Sequence, residues 1–212
     1  MSSANNKVEV QVIDEKLLVA GIRALDTNIS DTDAARAVDV SLVEAAPQSN
    51  HLILSFKNIG RIENLVGFHN LAKLCLDNNL IEEIINLDHL TQLRWLDLSF
   101  NKIKKIKGLE NLKQLEDLSL YSNKVSIVEG LDQCPNLQCL SLGNNRIDTL
   151  DQVIWLRRLK SIRMLTLAGN PICTETEYKM IVLAYVENLK YLDYALVTGS
   201  DLNTAKEQYH DE

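Results

Sequence analysis

The chain has 212 residues, which is enough for one domain or two small ones. Its formal net charge of -7 argues against nonspecific nucleic-acid binding, for which a basic balance is expected. Hydrophobic residues make up 46% and aromatic residues only 5% of the chain, which favours a core of stacked aliphatic layers over an aromatic-rich β-sandwich.

The cysteines and the amino-terminal stretch bear on the compartment. The four cysteines form no CxxC pair, and no histidine stands near them at zinc-ligand spacing. The start, MSSANNKVEV, has no apolar signal region, and no apolar run approaches transmembrane length. We therefore expect a reduced intracellular protein with free thiols in preference to disulfides, and no metal, cofactor or membrane segment.

Two helices are predicted within the first 50 residues. Asp14 can cap a helix over residues 14–25, whose apolar stripe includes Leu17, Leu18 and Ile22. A second helix is predicted over residues 31–46, and Pro47 ends it. We assign residues 1–50 to an amino-terminal tail and a helical cap, which would cover apolar surface at one end of the following unit.

A repeat of 22 residues organises the middle of the chain. It places a leucine at equivalent positions of five successive segments, Leu52, Leu74, Leu96, Leu118 and Leu140. The fifth repeat is stretched, because the next equivalent leucine, Leu165, follows 25 residues later, and the sixth repeat breaks off at Pro171. Such a fixed period predicts an α/β solenoid of about six repeats with a parallel concave sheet.

Each repeat opens with the pattern LxL, and both leucines of a strand with this alternation point into the core. An asparagine follows three residues later, at Asn79, Asn101, Asn123, Asn145 and Asn170. Stacked amides at these positions can satisfy backbone groups where the chain leaves the sheet. The first repeat has Lys57 there, so the ladder should begin at Asn79, and a unit this short should return through 3₁₀-like turns on its convex side.

A helical cap is also predicted at the other end. Thr174 and Glu177 have the spacing of a capping box for a helix that turns Tyr178 and Val182 inward. Residues 189–193 supply a last strand-like step, and a helix could begin over residues 201–209. We assign residues 51–194 to the repeat domain with its cap, and residues 195–212 to a polar tail leading to a coiled coil in a longer protein.

The pattern LxLxxNxIxxIxxLxxLxxL over about residues 52–194 resembles the short leucine-rich repeat class of intracellular phosphatase-regulatory and axonemal dynein light-chain proteins. A closer resemblance is visible in RWLDLSFNKI, LEDLSLYSNKVS and EYKMIVLAYVENLKYLDY. These segments resemble the leucine-rich repeat subunit family of the nexin–dynein regulatory complex of motile cilia and flagella. The resemblance implies a cytoplasmic, cytoskeletal location in the axoneme, with other subunits of that complex, dynein or tubulin as candidate partners.

Candidate binding residues are those that strand alternation turns outward. Trp95 and Tyr121 fall near the middle of the concave face, as does Phe100 at a strand exit. Small polar or acidic residues surround them, namely Asp77, Asp97, Ser99 and Asp117. Large aromatic side chains in such a setting are typical of binding hot spots. Two alternatives remain, that Trp95 only packs along its own surface and that the three aspartates hold a metal ion, which the absence of histidine disfavours.

Two basic clusters stand out in this acidic chain. The first, here called the lysine edge, consists of Lys102, Lys104, Lys105, Lys107 and Lys113. The second, here called the arginine cluster, consists of Arg157, Arg158, Lys160 and Arg163. Each can be an ordinary solvated face or a contact for an acidic partner surface, where charge would set orientation and association rate more than affinity.

No motif for catalysis is present: the chain has no G-x-S-x-G, P-loop, HExxH or Gly-rich dinucleotide turn. We therefore interpret the chain as a non-catalytic protein–protein interaction scaffold that binds neither nucleic acid nor membrane. Two alternatives come from other classes. One is a regulatory subunit for a protein phosphatase catalytic subunit, and the other is an RNA–protein scaffold like the spliceosomal repeat proteins.

Overall fold

A single sheet of short strands runs along the molecule. The computed structural model describes residues 9–23 and 46–209. Its eight strands are β1 (His51–Ile53), β2 (Lys73–Cys75), β3 (Trp95–Asp97), β4 (Asp117–Ser119), β5 (Cys139–Ser141), β6 (Met164–Thr166), β7 (Tyr191–Leu192) and β8 (Ala195–Leu196). They lie in chain order; β1 to β7 are parallel and β8 is antiparallel to β7. The predicted α/β repeat solenoid is confirmed.

The register of the sheet follows the leucine period. Leu52 pairs with Leu74, and Leu74 pairs with Leu96, so equivalent residues stack in rows. Both leucines of each LxL pattern are buried, as Leu96 and Leu98 illustrate. On the convex side, i to i+3 backbone bonds such as Leu90 N to Leu87 O (2.9 Å) close the turns. These bonds confirm the 3₁₀-like return that a short repeat requires.

The asparagine ladder forms as predicted. In each rung the amide oxygen accepts from a backbone N–H of the preceding repeat, for example Ile81 N to Asn101 Oδ1 at 3.0 Å. The amide nitrogen donates to carbonyls of both repeats, here those of Leu76 and Leu98 at 2.9 and 3.0 Å. The ladder begins at Asn79, whose oxygen accepts from the backbone N–H groups of Lys57 and Ile59.

The first helix, α1 (Glu15–Arg23), covers the β1 end of the sheet. Asp14 caps it, because its Oδ1 accepts from Leu17 N at 2.8 Å. Leu18 is buried on its inner face, and Asn64 Nδ2 donates to Ile13 O at 2.8 Å, which ties the preceding segment to the solenoid. Most of the second predicted helix lies outside the described residues, and Ala46–Gln48 form a 3₁₀ turn.

The carboxy-terminal part adds three helices. The stretched fifth repeat contains a short helix, α2 (Asp151–Ile154), and a 3₁₀ turn at Trp155–Arg158. The cap helix, α3 (Tyr178–Tyr185), packs against α4 (Gly199–Tyr209). The assignment of residues 195–212 to a separate polar tail stays a prediction.

The capping box predicted for α3 is wrong. Glu177 is the residue at the helix start, but its side chain makes no cap hydrogen bond. Thr174 belongs to a preceding 3₁₀ turn at Pro171–Thr174, and its hydroxyl donates to Pro171 O at 2.8 Å. The turn that follows Pro171 therefore takes up the hydroxyl that the sequence pattern assigned to the helix.

Asp193, between β7 and β8, bonds the last full repeat through its carboxylate. Its Oδ1 accepts from Leu167 N and Ala168 N, both at 2.8 Å, while the hydroxyl of Tyr178 donates to its Oδ2. Burial and the bond to Asp193 raise the pKa of Tyr178 well above its usual range. The last repeat and the cap helix are thus joined through one carboxylate.

Candidate interaction surface

The concave face brings together the outward residues that the sequence indicated. The parallel register places Lys73 beside Trp95, Trp95 beside Asp117, and Asp97 beside Ser119. Trp95, Asp97, Asp117 and Tyr121 are each partly exposed, so they line one surface without entering the core. Three acidic side chains cross this surface diagonally over successive repeats, at Asp77, Asp97 and Asp117.

Trp95 already has a partner within the chain. The ammonium group of Lys73 lies 3.9 Å from the centroid of its ring, in cation–π geometry. The indole is therefore oriented by a neighbouring rung. One face of the ring is occupied by this lysine, which leaves less of it free than the hot-spot interpretation assumed.

The aspartates are held by short polar side chains. Ser55 Oγ and Asn78 Nδ2 donate to the two carboxylate oxygens of Asp77. Asp97 accepts from both the backbone N–H and the hydroxyl of Ser99. Ser99 is only 7% exposed, so it positions Asp97 and does not itself offer a contact surface.

Asp117 is partly buried, with Asp97 and Cys139 as its neighbours. Burial raises the pKa of its carboxyl, the charge of Asp97 raises it further, and the Cys139 side chain beside it acts in the opposite direction. Within residues 9–23 and 46–209, no three His, Cys, Asp or Glu side chains are grouped so that they could hold a metal ion. Asp77 and Asp97 are held by hydrogen bonds from neighbouring residues, so the diagonal presents carboxylates in fixed positions.

Phe100 and Tyr121 form an aromatic pair at the edge of the concave face. Their ring centroids are 5.6 Å apart at an interplanar angle of 63°. Tyr121 lies over Gly143, where an added Cβ would be 2.8 Å from two atoms of the ring. Asn144 Nδ2 donates to Tyr121 Oη at 2.7 Å. These contacts fix the position of the Tyr121 side chain, and the ring of Phe100, which is 51% exposed, packs against it.

A third aromatic residue at this edge, Phe56, was missed by sequence reasoning. It is 73% exposed and stands at the position of the first repeat that corresponds to Phe100. Both have a left-handed backbone, with φ of 59° at Phe56 and 53° at Phe100. The signal was available, because each is the residue that precedes the asparagine position of its repeat.

The lysine edge is partly neutralised. Lys104 pairs with Glu82 at 3.1 Å and Lys107 with Glu83 at 3.3 Å, both on the preceding repeat. Lys113 instead donates to Gln133 of the following repeat at 2.7 Å. Lys102 and Lys105 are not in the ion pairs observed among the described residues, so they are the lysines whose charge is left for a partner.

The arginine cluster is also engaged internally. The guanidinium of Arg158 lies 4.2 Å from the ring centroid of Trp155 and 3.4 Å from the carboxylate of Asp132. Arg163 donates to the carbonyl oxygen of Ile162 at 2.9 Å. Arg157 is exposed and lines a cleft of about 330 Å³.

Trp155, which sequence reasoning did not single out, is 50% exposed. It borders a groove of about 440 Å³ beside Ile127, Leu131 and Leu159. The groove lies beside the stretched fifth repeat, whose helix α2 and 3₁₀ turn contribute Gln152, Trp155 and Leu156 to its lining. The stretched repeat length was the only indication of it in the sequence.

Comparisons with known proteins agree with the motifs. Dynein regulatory complex subunit 3 of Homo sapiens is 43% identical over 64 residues, which are 29% of this chain and 12% of that protein. The subunit 3 of Macaca fascicularis is 51% identical over 59 residues, 27% of this chain and 11% of the relative. The matched segment thus spans about a tenth of these relatives. The resemblance inferred from the sequence motifs is confirmed.

Two solved structures share the architecture. An internalin from Listeria monocytogenes has a TM-score of 0.63 at 24% identity, covering 84% of this chain and 55% of that one. A chain of the Drosophila melanogaster SNF/U2A′ complex has a TM-score of 0.53 at 24% identity, covering 76% and 82%. Both likenesses concern the fold alone. A family model described as leucine-rich repeat matches residues 79–212, so the chain belongs to the leucine-rich repeat family.

Proposed function

We propose that this chain is a non-catalytic interaction scaffold of the dynein regulatory complex in the axoneme of cilia or flagella, where it helps to regulate dynein-driven motility. The relatives named dynein regulatory complex subunit 3 support the assignment to that complex. Other subunits of the complex are the expected partners, with dynein or tubulin as the further candidates.

The observation that carries the scaffold role is the concave surface itself. Its outward side chains are held in place by one another, as Lys73 over Trp95 and Asn144 on Tyr121 illustrate. Prearranged aromatic and acidic groups lose little side-chain freedom when a partner binds, so such a surface favours recognition. The rigid ladder of asparagines beneath it supports the same interpretation.

The lysine edge supplies a second contact in this proposal. Lys102 and Lys105 keep their charge available, whereas Lys104 and Lys107 are partly screened by Glu82 and Glu83. Replacing all five lysines of the edge by glutamate should weaken docking to the axonemal partner. Co-sedimentation with outer-doublet preparations is the measurement, and unchanged binding would remove the lysine edge from the proposal.

Cross-linking mass spectrometry on intact axonemes tests the whole assignment. We expect cross-links from Lys102, Lys105 or Lys113 to other subunits of the regulatory complex. Lys160 reports on the side of the arginine cluster in the same experiment. Cross-links only to proteins outside the complex, or recovery of this chain apart from axonemes, would contradict the assignment.

A regulatory subunit of a protein phosphatase is the alternative that the same acidic and aromatic face fits. A pull-down with purified phosphatase catalytic subunit separates the two functions. The scaffold proposal expects no retention of the catalytic subunit. Retention that is lost in an Asp97→Asn, Asp117→Asn variant would favour the alternative.

A further inference from the structure

We propose that Phe56 and Phe100 form the docking site for an amphipathic helix of a partner protein; together with Tyr121, which packs against Phe100, they are here called the aromatic rim. Two apolar side chains of that helix, seven residues apart, would contact Phe56 and Phe100, and a Lys or Arg midway between them would reach Asp77. The inference rests on the proposed scaffold function and specifies the chemistry of its partner.

The first argument is the backbone at the two phenylalanines. The position before the asparagine rung has a left-handed backbone in every repeat, and its occupants in chain order are Phe56, Asn78, Phe100, Ser122, Asn144 and Gly169. Asparagine and glycine tolerate this conformation, whereas a bulky side chain is disfavoured in it. Phe56 and Phe100 therefore occupy a backbone conformation that is unfavourable for a bulky side chain.

The second argument is that these residues gain little from the fold. Phe56 is 73% exposed and Phe100 is 51% exposed, so neither offsets its backbone strain by burial in the core. Strained residues that the packing does not explain are concentrated at functional sites. An exposed aromatic group that a partner buries accounts for both observations.

The third argument is spacing. The backbone ladder continues through this column, with Phe56 N donating to Asp77 O at 3.2 Å and Asn78 N to Ser99 O at 2.9 Å. Phe56 and Phe100 are therefore two strand spacings, or about 10 Å, apart. Residues seven apart on one face of an α-helix are separated by about 10.5 Å.

The fourth argument is charge. Asp77 belongs to the repeat between the two phenylalanines, and Asn78 of the same column fixes one of its carboxylate oxygens. A residue three or four positions after the first apolar residue of a helix is on the same face, halfway to the second. An extended or polyproline segment with the apolar spacing has no same-face residue at that midpoint. The acid between the aromatics therefore favours a helix with a basic residue there.

The test uses a library of single helices displayed on a coiled-coil scaffold and randomised on one face. The library is selected on the full chain and counter-selected on the Phe56→Asn, Phe100→Asn variant. We expect the enriched helices to carry apolar residues seven apart with Lys or Arg between them. Their affinity should fall about tenfold or more for the double variant and for Asp77→Asn.

Tyr194→Asn is the matched control. Tyr194 is also an exposed aromatic residue with a positive φ, of 67°, but it follows β7 at the far end of the sheet. Its substitution should leave binding of the selected helices unchanged. The proposal is overturned if no helix is enriched, if the enriched helices lack the apolar spacing, or if they bind the double variant as well as the original chain. Association with axonemes, measured separately by cross-linking, would still stand in that case.

Discussion

Each asparagine of the ladder supplies, from one side chain, the hydrogen bonds to backbone groups that a neighbouring strand would otherwise supply. Asn123 Oδ1 accepts from Ile103 N at 2.9 Å, and Nδ2 donates to the carbonyls of Leu98 and Leu120 at 2.9 and 3.1 Å. These backbone groups lie where the chain leaves the sheet, inside the core, and water does not reach them. One buried amide therefore satisfies several groups that would otherwise be unpaired.

We expect Asn123→Ala to lower the free energy of unfolding by about 3 kcal/mol or more. Each buried group left unpaired costs about 1–3 kcal/mol, and the substitution removes the partner of several. Urea unfolding followed by tryptophan fluorescence measures the change. Asn111→Ala, at an exposed position on the convex side, is the control and should stay within about 0.5 kcal/mol. Equal losses in the two variants would contradict the ladder's role.

At the aromatic rim, stability and binding should change in opposite directions. We expect Phe56→Asn to raise the free energy of unfolding by about 1 kcal/mol, because asparagine tolerates the left-handed backbone that phenylalanine resists. Thermal unfolding is the measurement. Val66→Asn, which removes an apolar side chain that is 80% exposed, is the control without backbone relief and should be neutral. A destabilised Phe56→Asn would mean that the ring contributes to the fold.

Helices and a strand at the two ends of the solenoid cover the sheet edges that the repeats leave unpaired. Helix α1 lies on β1 so closely that a Cβ at Gly21 would be 2.6 Å from the carbonyl oxygen of Ile53. At the other end, β8 reverses direction and α3 and α4 pack together. A parallel stack has two unpaired edges, and covering them removes templates for association with other chains.

Gly21→Ala tests the amino-terminal cap. Alanine normally stabilises a helix relative to glycine, but here the added methyl group meets a backbone oxygen that cannot move away. We therefore expect a loss of about 1–3 kcal/mol, the usual range for overpacking. Hydrogen exchange of the α1 and β1 amides is the measurement, with Ala20→Lys at an exposed neighbouring position as control. Slower exchange in Gly21→Ala would show that the helix does not approach β1 this closely.

Across the whole molecule, ionisable groups in the core should make the fold sensitive to alkaline pH. Burial raises the pKa of the Cys75 and Cys134 thiols to about 11, from an ordinary value of 9.0. Tyr178 shifts in the same direction for the same reason, assisted by Asp193. All three groups are neutral in the folded chain, and they release protons at lower pH once the chain is unfolded.

The sign of the pH dependence follows from this difference. The unfolded chain binds fewer protons than the folded chain above pH 9, so the free energy of unfolding should fall as the pH rises from about 9 towards 11. Urea titrations at several pH values measure this. Cys134→Ala should flatten the decline between pH 9 and 11. A stability that rises over the same range would contradict the buried, neutral thiols.

Within the described residues, no helix is long and apolar enough to cross a membrane.

The molecule presents two kinds of surface on one scaffold. Its concave side carries fixed acids and aromatics, whereas the lysine edge carries charge that Glu82 and Glu83 partly offset.

The repeat period determined the architecture without further information. Equivalent leucines 22 residues apart can only be buried together if the strands stack in register, so the sheet, the asparagine ladder from Asn79 and the convex turns followed from spacing. The outward placement of Trp95 and Tyr121 followed from strand alternation. Local periodicity is strong evidence where each unit packs only on its neighbours.

Tertiary structure decided which outward residues are free. The distances of Lys73 to Trp95, Ser99 to Asp97 and Arg158 to Trp155 depend on rotamers and on neighbouring rungs, which a repeat pattern does not specify. The capping box at Thr174 failed because a 3₁₀ turn competed for the same hydroxyl. Phe56 stood out only in the structure, because it shares a left-handed backbone with Phe100 at the equivalent position of another repeat. Such strain is a property of the folded chain and not of its composition.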